Sequence, residues 1–168
     1  MTPATRAVLA HLGSCAAAPY QVLGEAAPTF SDDAAVVRAY EAARGFGEVA
    51  LAVREALDEP VAAQGVVRDV MARAVGADPT GRLALYCLAV VVGPRFLVSL
   101  RDARPEVDEG AREVIDRASD LVVGAIMAVR EMAGSSGGLD EATLLRSARA
   151  LTQALEDAGF AESLGTGR

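Results

Sequence analysis

An all-α fold is predicted for this chain, a bundle of about seven to eight helices around one central apolar helix. Three observations predict it. Apolar residues recur at helical spacing throughout, and no strand-like alternation runs beyond a few residues. Hydrophobic residues make up 52% of the chain but aromatic ones only 4%, so the apolar surface is small and Ala-rich, which favours closely packed helices over sheets. Leu83 to Val92 is apolar on every side, a pattern that suits a helix enclosed by neighbours. A chain of 168 residues can bury a full core without disulfides or metals.

Thr2-Pro3 starts the first helix, expected to run to about Ala17. A loop carrying Pro19, Gly24 and Pro28 follows. Ser31 is the expected cap of the next helix, with Asp32 and Asp33 in its first turn at the positive end of the dipole. Its apolar face reads Val36, Tyr40, Ala43, Phe46, Ala50, Val53 and Leu57, and Gly45 and Gly47 predict a break into two helices. Glu59-Pro60 starts another helix, with Val66, Val67, Val70, Met71 and Val75 on its buried side. Gly76 to Thr80 forms the junction to the apolar helix from Gly81 to about Asp102, which Pro94 can kink by removing a backbone donor. Pro105 opens a long amphipathic helix carrying Val114, Ile115, Val122 and Val129. Gly134 to Gly138 reads as a flexible turn. The last helix spans Leu139 to about Ala158, with Leu144, Leu145, Ala148, Leu151 and Leu155 inward. Residues 1–160 thus form one helical domain, and 161–168 a frayed tail.

Composition excludes much. The formal charge is 16 − 23 = −7, every basic residue is Arg, and Lys, Asn and Trp are absent, a bias typical of GC-rich coding. An acidic chain without a basic patch argues against nucleic acid. Two cysteines, Cys15 and Cys87, and the lone His11 exclude a disulfide framework, a multi-Cys or His-based metal site and an ordinary catalytic triad. No cofactor and no enzymatic activity are expected. Cys87 reads as an inert core residue, Cys15 as open to solvent. Glu41, Glu48 and Glu55 repeat every seven residues but lack the Glu-x-x-His pairs of di-iron bundles, and read as a solvated stripe. Arg38, Arg44 and Arg54 are the residues a small helical enzyme could gather around an anion. The twelve uncharged residues Leu83–Pro94 are too few to span a bilayer, so a soluble protein without an integral anchor is expected.

Asp78-Pro79-Thr80-Gly81-Arg82-Leu83-Ala84 opens the buried helix with Gly-Arg, and Gly137-Gly138-Leu139-Asp140-Glu141 opens the last one. Upstream, Val66-Val67-Arg68-Asp69-Val70-Met71 sets apolar pairs around an acidic residue. In order and spacing these segments resemble the Bcl-2 family over roughly residues 32–158. Pro79-Thr80 stands where that family has Asn-Trp, and Leu139 where its second motif has Trp. The third motif fits two registers, Ala34–Gly45 and Val53–Glu59, of which the first leaves the more normal distance to Gly81-Arg82. Diverged motifs without an anchor are most similar to the viral members.

The resemblance implies a Bcl-2-like bundle that inhibits apoptosis by holding the amphipathic death-motif helices of pro-apoptotic partners. It would act in the cytoplasm, of a host cell if viral, or peripherally at mitochondria. Such a groove needs apolar walls, a small residue for close approach and one fixed charge. Tyr40, Phe46, Leu51, Val66, Val70, Met71 and Leu83 are the candidate walls, with Asp69 beside them. Gly81 is the candidate floor, and Arg82 the cation for the guest's Asp. Each has a plainer reading beside it, the apolar residues as core, Gly81 as a turn, and Arg82 as a helix-start arginine bridged to its own neighbours. The alternative function is a non-enzymatic bundle of a GC-rich bacterium that homodimerises through its Ala-rich faces.

Overall fold

The computed structural model describes residues 1–134 and 138–160, and every regular element among them is helical. Among the described residues there are six helices rather than seven or eight: α1 Pro3–Ala26, α2 Asp33–Leu57, α3 Gly65–Val75, α4 Arg82–Glu106, α5 Glu109–Gly134 and α6 Glu141–Asp157. The all-α class stands. The shortfall in number comes from helices that continue through residues expected to stop them.

α1 begins as expected, with the Thr2 hydroxyl accepting from the Thr5 N–H at 3.2 Å. It then runs through Pro19 to Ala26. Proline removes one backbone donor, yet Leu9, Leu12 and Cys15 before it and Val22 and Leu23 after it are all buried in one core, and that packing carries the helix across the defect. Cys15 is consequently buried rather than open, its Sγ 3.6 Å from His11 Nε2.

α2 is unbroken at Gly45 and Gly47, correcting the expected division. These glycines are notches. A methyl group at Gly45 would lie 3.0 Å from Ala125 Cβ and 3.2 Å from the Leu121 carbonyl of α5, and one at Gly47 would lie 2.8 Å from the Tyr20 ring of α1. α2 therefore sits between two neighbours at very short range, and the packing offsets a glycine cost of about 1 kcal/mol per residue. It ends at Asp58, which adopts a left-handed conformation (φ 54°). The segment 58–64 is irregular, so α3 starts at Gly65 and not at Glu59-Pro60.

α4 is the core helix and contacts each of the other five. Its path includes a π-turn, Leu88–Val92, in which the Gly93 N–H donates to the Leu88 carbonyl. Pro94 follows directly. Its ring would crowd the carbonyl four residues back in a regular helix, and the widened turn gives it room without a break. Gly93 also lets Ile126 of α5 approach within the space a side chain would fill. Enclosure is incomplete. Val90 and Val98 are nearly half exposed, so six helices leave one edge of α4 uncovered. By length and composition α4 could cross a membrane, with a mean hydropathy of 2.0, although 61% of that apolar window is buried inside the fold. The uncharged stretch is short, but the helix that contains it is not.

Pro105 closes α4 in a single 3₁₀ turn, Arg104–Glu106, and α5 begins only at Glu109. Asp140 caps α6, accepting from the Thr143 N–H at 2.8 Å. Leu144, Leu151 and Leu155 face the core as expected, whereas Leu145 is exposed. Phe160 is fully buried and completes an aromatic row with Phe96 and Phe46, with ring centroids 6.3 and 6.1 Å apart. The turn expected over Gly134–Gly138 lies mostly outside the described residues, as does the tail 161–168.

Candidate functional site

Two places on the molecule meet the needs of a helix-binding site in part, and they are adjacent. The first is the corner 78–83, where the sequence placed the floor and the cation. Asp78 is its pivot. Its carboxylate accepts from the Thr80 N–H at 3.0 Å, the Thr80 hydroxyl at 2.6 Å and the Leu83 N–H at 3.0 Å, and so caps α4. Burial works against ionisation of Asp78. The N–H groups of Leu83, Thr80 and Arg82 and the Thr80 hydroxyl outweigh it, so its pKa lies below the ordinary 3.8.

The corner is tied to α2 from both sides. The Ser31 N–H donates to the Pro79 carbonyl at 2.9 Å. Asp32, not Ser31, caps α2: one oxygen accepts from the Ala34 and Ala35 N–H groups at 2.9 and 3.3 Å. The other accepts from Arg82 Nε at 2.6 Å. That bond to Arg82, opposed by desolvation and aided by the two N–H groups, holds Asp32 below its ordinary pKa. The Arg82 and Asp32 side chains are only 26% and 19% exposed. The cation is already engaged, though by a carboxylate 50 positions away at the start of α2 and not by its own neighbours.

Gly81 does not form a floor either. It has φ +82°, and the Phe30 ring occupies the position a Cβ would need. The chain has filled that approach with its own aromatic side chain. Glycine is required here for the turn and for Phe30, not for a visitor.

The second place is an open furrow of about 280 Å³ bounded by α3, α4 and α6. Leu83 and Cys87 form its α4 side, Val70, Arg73, Ala74 and Ala77 its α3 side, and Ser147, Ala150, Leu151 and Ala154 its α6 side. Burial pushes the Cys87 thiol up to about 11, so the sulfur contributes to this furrow as a small apolar group and not as a nucleophile. Arg73 is exposed, and no carboxylate among the described residues pairs with it.

Of the residues singled out in the sequence, Val70 and Leu83 come together in this furrow. Met71 instead lines a much smaller pocket of about 20 Å³ next to the furrow, with Val22, Leu23, Val75 and Leu88. Phe46 belongs to the aromatic row of the core. Tyr40, Leu51 and Val66 are 47%, 46% and 65% exposed and do not converge on the furrow. Asp69 pairs with Arg68 at 3.3 Å on the exposed side of α3. Arg73, Ala150 and Ala154 were missed. A signal for them exists. Val70, Arg73, Ala74 and Ala77 stand at i, i+3, i+4 and i+7, and so do Ser147, Ala150, Leu151 and Ala154. Two small-residue stripes of the same spacing mark facing helix surfaces.

Compared with known proteins, the chain matches no family model, no curated sequence and no solved structure.

Among the described residues no cluster of His, Cys, Asp and Glu could hold a metal ion. Glu41 and Glu48 lie beside Arg38 and Arg44 at 2.7 and 3.8 Å.

Proposed function

We propose that this chain acts by binding an amphipathic helix of a partner protein in the furrow between α3, α4 and α6, with no chemistry performed. The observation that carries this reading is the pairing of an apolar trough with an unpaired cation at its edge. Small side chains on both walls admit a guest's larger apolar residues, and Arg73 is free to take an acidic residue on the guest. The motif order supports a particular guest, the death-motif helix of a pro-apoptotic Bcl-2 protein, and hence an anti-apoptotic regulator in the cytoplasm or at the mitochondrial surface. In this proposal Arg73 takes the role first assigned to Arg82, while Val70 and Leu83 keep theirs. The test is a calorimetric titration with a panel of pro-apoptotic helix peptides. Binding that weakens on Arg73→Ala, and on filling the furrow by Ala150→Trp, is expected. A panel that does not bind, or that binds both variants unchanged, removes the proposal.

Homodimerisation is the second reading, favoured by Val123 and Met127, which are exposed one turn apart on α5. It predicts a dimer by light scattering that Met127→Glu dissociates and that peptides leave unaltered.

A further inference from the structure

We propose that a second depression, between α1 and α2, is a binding site for an organic monocarboxylate with an aliphatic body. It has a volume of about 390 Å³, within the range of small-molecule pockets. Tyr20 and Leu51 both border it, and both are close to half exposed although apolar. The Tyr20 ring lies against the backbone of α2 at Gly47, where a methyl group would meet it at 2.8 Å. Glycine at that position is what allows the ring to form a flat wall. Ala17, Ala50 and Val61 complete an apolar lining.

The end of the depression is built, not incidental. Val61 belongs to the irregular segment after α2, and that segment is strapped to α1 at two points. Ser14 Oγ donates to the Ala62 carbonyl at 2.7 Å, and Arg6 Nη1 donates to the Glu59 carboxylate at 2.5 Å. Val61 also packs towards Gly13, where a methyl group would lie 3.0 Å from it.

Charge selects the ligand class. Arg44 and Arg54 both border the depression, with one carboxylate, Glu48, so two guanidiniums face a single acid. They stand ten positions apart on α2, about 15 Å along the axis at 1.5 Å per residue. Arg44 is 3.8 Å from Glu48, beyond hydrogen-bond length, and Arg54 pairs with no carboxylate among the described residues. In a chain of net charge −7, an uncompensated guanidinium beside an apolar trough is complementary to an anion with an apolar body. Arg54 takes the carboxylate through its planar pair of N–H donors, and Leu51, one turn away, with Tyr20 covers the hydrocarbon.

This site is independent of the furrow on α3, α4 and α6. The test uses the full chain titrated with decanoate below its micellar range, followed by calorimetry and by backbone amide shifts. Decanol, acetate and decylamine serve as probes lacking the charge, the body, and the correct sign of charge. Decanoate is expected to bind at least tenfold more tightly than any of them and to shift amides of α1, α2 and residues 58–64. Arg54→Gln should weaken it about tenfold and Leu51→Ala about threefold, with melting temperatures unchanged because both side chains are exposed. Arg73→Ala should leave it unaltered. Equal binding of decanoate and decanol, unchanged binding to Arg54→Gln, or shifts confined to α3 and α6 would each overturn the assignment.

Discussion

Arg73 and Arg82 sit nine residues apart on either side of one turn, next to the same apolar helix, and their circumstances are opposite. Arg82 is held 2.6 Å from Asp32, half-buried, in a corner that also contains a buried capping carboxylate and a glycine covered by Phe30. Arg73 stands in solvent at the edge of a trough with no acid paired to it, since Asp69, one turn before it, pairs with Arg68. The first arginine joins two helices of its own chain, and the second has its hydrogen-bonding capacity to spare. A guanidinium at the start of a core helix is therefore not in itself a recognition group. What decides is whether the fold brings a carboxylate to it.

The difference between the two places can be tested, beginning with the largest effect. Gly81→Ala should destabilise the fold by about 3 kcal/mol in urea unfolding, since it adds left-handed backbone strain to overlap with Phe30. A cost below about 1 kcal/mol would mean that Phe30 swings aside, and that the corner can open to a guest after all. Asp78→Ala should cost about 2 kcal/mol by the same measurement, because the α4 cap is lost and the buried Leu83 N–H is left without an acceptor.

Arg73→Ala should leave stability within about 0.5 kcal/mol but weaken a helix peptide by about 1.5 kcal/mol, near tenfold, the lower end for a hydrogen bond to a charged group at an exposed rim. Arg82→Ala should show the reverse pattern, with stability lowered and peptide affinity kept. If the two variants exchange these phenotypes in paired unfolding and titration experiments, the roles assigned here are inverted.

The smallest effect is a dependence on acid. Asp32 and Asp78 both have pKa values below 3.8 in the folded state. Carboxylates depressed in this way contribute stability that is fully present above 3.8 and is lost as pH falls through their lower folded values. The melting temperature should therefore hold from pH 7 to about 5 and decline below 4, with a shallower decline in Asp78→Asn. An acid response identical in that variant would place the loss in other carboxylates.

Much of the fold was legible. The N-cap at Thr2, the core helix from Leu83 and the inward Leu144, Leu151 and Leu155 follow from periodicity and capping, as do the inward faces of α2 and α3 apart from Tyr40 and Val66, which were expected inward and are exposed. Errors gathered at Pro19, Gly45 and Gly47. Local propensity says each should interrupt a helix, and at each the packing against neighbouring helices compensates, whereas Pro94 was expected inside its helix and lies there behind a widened turn. At the candidate site Val70 and Leu83 were found because apolar spacing marks them. Arg73 was passed over because an exposed arginine carries no local mark of being unpaired.

Pattern and composition along the chain thus settled the class of structure and which residues are apolar enough to be buried. Those properties are carried by short-range spacing and by counts. Which arginine is neutralised, which glycine is a notch, and which small residues face one another across a trough depended on contacts between segments 30 to 80 residues apart, as between Arg82 and Asp32 or Ala74 and Ala150. Neither helical period nor capping preference encodes such pairings, because they arise only when the helices pack.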